Sequence, residues 1–360
     1  MAPTAFGRHG IYGGGERYPL ELARALAAHT ECTLLTFGKE GRRRRREPGG
    51  LDVEMLPATA FLHGHPAHPV APALPRALAG YDVVHVHHLW AAPSRMAVAA
   101  ARLRRASVAV TDHGLRGPRA RPLGSRLVDR FLTVSRYSAE VLGSDPARTT
   151  VIYGGVDPQR LSPDPGRARS GVLFVGRLTP HKGVDRLLEA VPRGATLTLV
   201  GTSGHDPDPP ESGYPERLRR LAAARDGDVR FLGAVADDEL VELYRSASVL
   251  VLPSVDVTCY GKPVPVSELL GLSVLEAMAC ATPVVASRLG GLREVVRDGE
   301  TGFLVGPGDV AELRARLEQL LASPSLAHEM GDSARQLAVE RFTWDACARR
   351  CLEAYASAAR

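Results

Sequence analysis

The sequence predicts an α/β protein of the doubly wound class. Short apolar runs rich in β-branched residues recur along the 360 residues, and amphipathic stretches of helical period lie between them. These runs are apolar throughout rather than alternating with polar residues, which is typical of parallel strands that are covered by helices on both faces. The order strand, helix, strand, helix therefore favours a doubly wound sheet.

The predicted elements form two similar series along the chain. In the first half we predict strands at residues 32–37, 51–56, 82–87, 107–111, 131–134 and 149–152. In the second half we predict strands at residues 172–175, 196–200, 229–232, 249–252, 283–286 and 302–304. The helical patterns are clearest at residues 18–28, 93–105, 184–190, 214–224, 238–246 and 308–322.

Two domains are expected because the second half starts a new series. The stretch 157–170, rich in Pro, Gly and Arg, is interpreted as an interdomain linker. We place an N-terminal Rossmann-like domain at residues 1–160, a second at 161–342 and a final segment at 343–360. The two sheets would face each other across a cleft, with ligands beyond the carboxyl ends of the strands.

The N-terminus carries a glycine-rich turn, Gly13-Gly14-Gly15, that opens a helix from Glu16. A strand should precede such a turn, yet only residues 1–6 are available and a proline interrupts them. Either the first strand is short or the true start of the chain lies upstream, and the sequence favours the second. The turn lacks the G-x-G-x-x-G spacing, which disfavours a dinucleotide-dependent dehydrogenase.

Composition excludes several classes of function. The net charge of +5, from 45 basic and 40 acidic residues, is too small to indicate nucleic-acid binding. The five cysteines form no CxxC pair and are interpreted as small residues of a reducing compartment. No apolar run approaches the roughly 20 residues of a membrane span. We therefore expect a cytoplasmic protein.

The first candidate site follows the predicted strand at 172–175. Gly176-Arg177 and Lys182-Gly183 lie in a strand-to-helix loop, where the two cations can converge on one anion such as a pyrophosphate. The glycines favour this interpretation because they let the main chain approach a phosphate. The alternative is two solvated loop cations.

The second candidate site contains two glutamates eight residues apart, Glu268 and Glu276. Because Gly271 makes one continuous helix improbable, we expect the helix to begin near Leu272, with Glu268 in the preceding loop. The free amides of Gly271 and Leu272 would then face an anion. Glu276 suits a pair of vicinal sugar hydroxyls, but Ser273-x-x-Glu276 also fits a capping box.

Histidines and a basic run complete the candidates. His113 follows the strand at 107–111 and is placed either to orient a substrate or as an ordinary loop histidine. His85 and His87 share a strand face, yet nothing completes a zinc ligand set, so we expect a buried pair and no metal. The run 42–46 contains five arginines and is interpreted as an exposed loop, with an anionic lipid or acidic acceptor as the alternative.

These motifs together resemble the retaining glycosyltransferases of family 4, the glycosyl transferases group 1. The resemblance is carried by Arg177 and Lys182, by "SELLGLSVLEAMACATPVVAS" around Glu268 and Glu276, and by "GGLREVVRDGETGFLV". It extends from the Gly13–Gly15 turn to Phe342-Thr-Trp344. Four features depart from the family pattern, namely Leu270 in place of Phe, Ala281 in place of Gly, Gly154 in place of Asn, and an apparent insertion at 256–266.

The resemblance implies a fold and a set of roles. The fold is GT-B, with the donor held mainly by the second domain and a final helix at 343–360 that returns to the first. Arg177 and Lys182, beside Gly176, would bind the donor diphosphate, and the amides of Gly271 and Leu272 would meet its phosphate or sugar. Glu268 would hold a sugar hydroxyl and Glu276 the ribose. From the first domain, Gly14 and Gly15 would approach the donor phosphate or acceptor, and His113 the transferred sugar.

The implied reaction is transfer of a sugar from a nucleoside diphosphate donor to a hydroxyl acceptor, with retention at the anomeric carbon. Fixed cations and helix amides would stabilise the leaving diphosphate, so we expect neither a metal nor another cofactor. The acceptor is open among a lipid, a saccharide and a natural-product aglycone, and so is a peripheral contact with the inner membrane. A sugar-nucleotide epimerase or phosphorylase and a non-catalytic nucleotide-sugar-binding subunit are the alternatives.

Overall fold

The computed structural model describes Met1 and residues 14–39, 41–64, 68–113, 126–203 and 211–358, with only the main chain for residues 14–16. The chain divides into two compact units, Met1–Gly154 with Trp344–Arg360, and Gly155–Thr343. The divisions fall at 154/155 and 343/344, and the domain limits predicted from the sequence were 160/161 and 342/343.

The first unit is an α/β unit with parallel sheets. Its elements up to residue 151 are α1 (Gly14–Ala27), β1 (Thr33–Gly38), β2 (Arg43–Arg46), β3 (Asp52–Pro57), β4 (Ala60–Phe61), β5 (Pro69–Val70), α2 (Leu74–Ala77), β6 (Val83–His87), α3 (Ala92–Leu103), β7 (Ser107–Thr111), β8 (Arg130–Thr133), α4 (Arg136–Leu142) and β9 (Thr149–Val151). Strands β6 to β9 form a parallel sheet in chain order, and β1 pairs with β3 in parallel in another. Val86, Val98 and Val108 are buried in the core where α3 covers β6 and β7.

The arginine run does not form the predicted loop. Residues Arg43–Arg46 form β2, an exposed strand that pairs antiparallel with β3. An arginine can occupy an edge strand because its side chain reaches water on either face, and charged edges also discourage strand pairing with other chains.

The N-terminal helix begins earlier than predicted. Helix α1 begins at Gly14, two residues before the expected start. Gly13 and residues 2–6 of the predicted first strand lie outside the described residues. Met1 is described, and its main chain bonds with β6, since its amino group donates to the His85 carbonyl (2.6 Å) and the His87 amide donates to the Met1 carbonyl (3.1 Å).

The second unit contains the more regular sheet. Its elements are β10 (Val172–Val175), α5 (Val184–Ala190), β11 (Leu197–Val200), α6 (Tyr214–Ala224), β12 (Val229–Gly233), α7 (Asp237–Ser246), β13 (Val249–Leu252), α8 (Leu272–Ala279), β14 (Val284–Ser287), α9 (Leu292–Val295), β15 (Gly302–Val305), α10 (Val310–Ala322) and α11 (Pro324–Arg341). The six strands are parallel in the order β12-β11-β10-β13-β14-β15. This is the Rossmann order, whose direction reverses between β10 and β13, where doubly wound sheets bind ligands.

The stretch 157–170 is part of the second unit rather than a free linker. Leu161 is buried, and the Arg169 guanidinium donates to the Thr282 hydroxyl (2.5 Å) and to the Cys280 carbonyl (2.8 Å). The interpretation as a linker is therefore wrong, because Pro, Gly and Arg also suit an irregular segment whose arginine satisfies carbonyls at a helix end.

The last helix, α12 (Trp344–Ala358), belongs to the first unit, where it packs against α1. Its buried Cys347 lies 3.3 Å from the Tyr18 hydroxyl of α1. Among the helices of the described ranges, none combines the length and the hydropathy that a bilayer-spanning segment requires.

Candidate active site

The loops that follow β10 and β13 meet at the switch point of the second sheet. Lys182, after β10, forms an ion pair with Oε1 of Glu268, which lies in the loop after β13. The Ser254 hydroxyl donates to the same carboxylate oxygen at 2.6 Å. Ser254 and Glu268 are buried, and only 14% of the Lys182 side chain is exposed. The structure thus joins the two candidate sites and adds Ser254.

A glycine permits this close approach of the two loops. Gly183 has φ of +67°, and a Cβ there would lie 2.1 Å from the Pro253 carbonyl oxygen. A main-chain hydrogen bond from Val255 to the His181 carbonyl (2.9 Å) also joins the loops. Any other residue at position 183 would separate Lys182 from Ser254 and Glu268.

The electrostatics favour an ionised Glu268. Burial would raise its pKa, but the charge and hydrogen bond of Lys182 and the hydroxyl of Ser254 outweigh burial, and the net pKa lies below its usual value. Among the described residues, no group donates a hydrogen bond to its second oxygen, Oε2. That oxygen is available to accept from a ligand hydroxyl.

Arg177 lies beside this cluster through His181. Its Nη2 is 3.5 Å from Nε2 of His181, and its side chain is exposed. Burial, and then the charges of Lys182 and Arg177, lower the pKa of His181 to about 4, so this imidazole is neutral near pH 7. The loop therefore presents two cations separated by a neutral ring.

Helix α8 begins at Leu272, as predicted, with Gly271 before it. Gly271 has φ of +94°, and a Cβ there would lie 2.5 Å from Cδ2 of Leu292, so glycine is required. Within the described ranges no side chain caps this helix, and the amides of Gly271 and Leu272 have no acceptor. Such amides at a helix N-terminus are a ready anion site.

The capping-box interpretation of Glu276 is wrong. Ser273 lies inside α8, one residue after its start, and cannot cap it. Glu276 is buried, and its Oε2 accepts a hydrogen bond from the hydroxyl of Tyr244 in α7 at 2.7 Å. Sequence reasoning missed Tyr244, because the helical pattern at 238–246 does not indicate that a tyrosine within it reaches Glu276.

His113 belongs to a cluster of stacked histidines in the first unit, of which His87 is buried and His85 and His113 are half-buried. Its Nε2 lies 3.0 Å from Nδ1 of His87, and the His87 ring stacks on His85 with centroids 4.5 Å apart. The Tyr18 ring is 4.6 Å from His113. Burial lowers the pKa of His85 to about 3, and burial followed by the neighbouring histidines lowers the pKa of His87 and His113 below the usual value.

Of the pair that the sequence predicted to be buried, His87 is buried and His85 is half-buried. Among the described residues, no group of His, Cys, Asp or Glu suits a metal ion. The sequence did contain a signal for the contact between His87 and His113. His87 ends β6 and His113 follows β7, and these two strands are neighbours in the sheet. Gly14 and Gly15 open α1 of the same unit, whereas Arg177, Lys182 and the glutamates belong to the second.

Two family models cover most of the chain. "Glycosyltransferase Family 4" matches residues 12–160, and "Glycosyl transferases group 1" matches residues 167–337. D-inositol 3-phosphate glycosyltransferase of Streptomyces bingchenggensis is 34% identical, over 98% of this chain and 86% of that relative. The chain belongs to the family 4 glycosyltransferases. The corresponding protein of Streptomyces coelicolor is 32% identical, over 97% of this chain and 88% of the relative.

Solved structures agree with this assignment of the fold. The Anabaena protein Alr3699/HepE in complex with UDP-glucose has a TM-score of 0.75 at 20% identity and covers 99% of this chain, with 98% of its own length matched. Sucrose-phosphate synthase from Thermosynechococcus elongatus has a TM-score of 0.71 at 24% identity, over 96% of this chain and 93% of its own. This glycosyltransferase therefore has the GT-B fold, as predicted.

Proposed function

We propose that this glycosyltransferase transfers a sugar from a UDP-sugar to a hydroxyl acceptor, with retention and without a metal. The observation that carries the proposal is the buried Lys182–Glu268–Ser254 cluster at the switch point, beside the uncapped N-terminus of α8. UDP is proposed because the solved relative HepE is described with UDP and with UDP-glucose.

Each residue would perform one part of the transfer. Breaking the bond between the anomeric carbon and the diphosphate oxygen leaves an electron pair on that oxygen. Arg177, Lys182 and the amides of Gly271 and Leu272 would stabilise the resulting charge, which makes a metal unnecessary. The acceptor hydroxyl would attack from the same face and give its proton to the departing phosphate, so no protein base is needed.

The remaining residues would hold the donor in place. Oε2 of Glu268 would accept from a sugar hydroxyl, and Glu276, oriented by Tyr244, would accept from the ribose. From the first unit, Gly14 and Gly15 would approach the phosphate or the acceptor, and His113 would contact the transferred sugar. A carboxylate that is already ionised gives the stronger, charge-assisted hydrogen bond.

The relatives suggest which acceptor to test first. The relatives above are named for D-inositol 3-phosphate, and a solved neighbour, AviGT4, is described as involved in avilamycin A biosynthesis. We propose D-inositol 3-phosphate as the first acceptor, followed by saccharide, lipid and natural-product hydroxyls. All five cysteines are described and free, which suits a reducing compartment, and we propose that the enzyme acts in the cytoplasm.

Lysine variants provide the test of the donor site. Lys182→Ala should reduce turnover roughly 100-fold or more, the usual loss for one group that stabilises developing charge. Lys262→Ala is the matched control, because Lys262 pairs with Glu211 (3.0 Å) on an exposed surface. Near-normal transfer by Lys182→Ala, measured with UDP-sugar donors, would remove the proposed role of Lys182.

Product analysis tests the reaction itself. NMR of the glycoside should show the anomeric configuration of the donor, and a chelator should leave the rate unchanged. An inverted product or a chelator-sensitive rate would contradict the proposed chemistry. An isomerised donor or a free sugar phosphate would favour the epimerase or phosphorylase alternative, and donor binding without transfer would favour a binding subunit.

A further inference from the structure

The outer face of α3 in the first unit carries apolar side chains although its inner face is already buried. Val98 and Ala101 lie in the core, whereas Leu103 is 88% exposed and Met96 is 37% exposed. Positions 96 and 103 are seven residues apart and so share one helix face. A helix with apolar side chains on both faces is expected to have a second apolar contact.

Arginines surround these apolar side chains. Arg95 lies on α3, Arg104 and Arg105 follow its end, and Arg126 precedes Leu127, which is 42% exposed. Arg102 joins this segment to α3, since its Nε donates to the Leu127 carbonyl at 2.8 Å. We call Arg95, Met96, Leu103, Arg104, Arg105, Arg126 and Leu127 the α3 surface.

The arginines of the α3 surface differ in their partners from the arginines at 42–46. In the part of the chain that the structure describes, none of its four arginines has a carboxylate partner. The arginine run of β2 is different, because Arg42 pairs with Glu54 (2.6 Å), Arg44 with Asp52 (3.0 Å) and Arg45 with Glu47 (3.0 Å). The carboxylates therefore neutralise most of the positive charge that the arginines at 42–46 would present to a ligand.

Arg105 is held in a conformation that favours glycine. It follows the end of α3 with φ of +62°, where a non-glycine residue costs folding free energy. Its side chain gains no ion pair in return within the described ranges. A strained, exposed and unpaired arginine at a helix end is consistent with a role outside folding.

We propose that the α3 surface docks this glycosyltransferase on an anionic lipid bilayer. Leu103, Met96 and Leu127 would enter the boundary between headgroups and acyl chains, while the arginine stems extend along it and their guanidinium groups bind lipid phosphates. The surface has no aromatic side chain on which bases could stack, and its apolar centre suits acyl chains better than a nucleic acid. The sequence suggested the arginines at 42–46 as a contact for anionic lipid, and we propose the α3 surface in their place.

Vesicle binding by the full chain tests this proposal. The probes are vesicles of phosphatidylcholine alone and vesicles with an equal part of phosphatidylglycerol, in flotation at low and high salt. Arg104→Ala/Arg105→Ala should weaken binding to the anionic vesicles roughly 25-fold, at about fivefold for each arginine. Arg45→Ala/Arg46→Ala removes the same charge from β2 and should leave binding almost unchanged.

Arg105→Gly separates docking from folding. This variant should keep or raise the melting temperature while it weakens vesicle binding about fivefold. Equal binding to both vesicle types, a loss confined to the β2 variant, or no effect of the α3 variants would overturn the proposal. The proposal would also be overturned if the wild-type protein does not bind vesicles and the α3 variants instead abolish self-association, measured by light scattering. The same holds if they abolish nucleic-acid binding, measured by gel shift.

Discussion

Ser254→Ala tests whether the orientation of Glu268 matters for transfer. The variant removes the hydroxyl that donates to Oε1 of Glu268 at 2.6 Å and changes little else. Ser254 is fully buried and Glu268 is 5% exposed, so water cannot replace the bond easily. A hydrogen bond to a charged group contributes about 1.5–3 kcal/mol.

That free energy predicts the size of the defect. If Glu268 loses its orientation in the free variant and must regain it in the transition state without this bond, kcat/KM should fall roughly 10-fold to 150-fold. The hydroxyl also lowers the pKa of Glu268, so its loss should raise that pKa. If activity requires the ionised carboxylate, Ser254→Ala should therefore lose activity at a higher pH than the wild type does as the solution is made more acidic.

The assay is a pH profile of kcat/KM for the wild type, Ser254→Ala and a control. Thr301→Val is the matched control, since Thr301 is fully buried and accepts from the Arg297 amide at 2.9 Å in the same unit. The control should lose stability without moving the acid limb. If Ser254→Ala has normal kcat/KM and an unmoved acid limb, the reasoning about Glu268 is refuted.

Three further predictions concern other parts of the chain. Ala281 follows α8 with φ of +54°, so Ala281→Gly should stabilise the second unit by about 1 kcal/mol and raise its calorimetric Tm by roughly 2–4 °C, and an unchanged or lower Tm would contradict this. The pKa of His85 is about 3 in the folded protein and 6.5 in the unfolded chain, so the unfolded chain binds more protons below pH 6.5. As the pH is lowered from 6.5 towards 3, this residue alone should therefore reduce the free energy of urea unfolding by about 1.4 kcal/mol per pH unit. His85→Asn should make that dependence on pH less steep. Tyr244→Phe removes one hydrogen bond that orients Glu276 and should weaken UDP binding roughly tenfold in calorimetry, whereas Tyr214→Phe, which breaks an equally buried bond to a carboxylate (2.8 Å), should not.

Periodicity was sufficient to predict the sheet of the second unit. All six of its strands coincide with the apolar runs to within a residue. Five of them are mostly buried, and a strand buried on both faces admits little but apolar residues, whereas β12 is a largely exposed edge strand. The start of α8 was also predictable, since Gly271 interrupts one helix and its successor must begin after it. Polar segments were predicted less well, and the arginine run became β2 only because β3 offers it a partner.

The sequence by itself determined the order of elements, the class of fold and the residue types able to bind a diphosphate, because these follow from local patterns of burial and charge. Tertiary structure decided which of those residues meet. Lys182 reaches Glu268 across 86 positions because the strand order puts β10 beside β13, and Ser254 and Tyr244 act on the two glutamates from elements that give no local signal. It also decided which arginines are neutralised, since only the folded chain brings carboxylates to the β2 run and Asp129 to Arg102, while the described residues offer none to the arginines of the α3 surface.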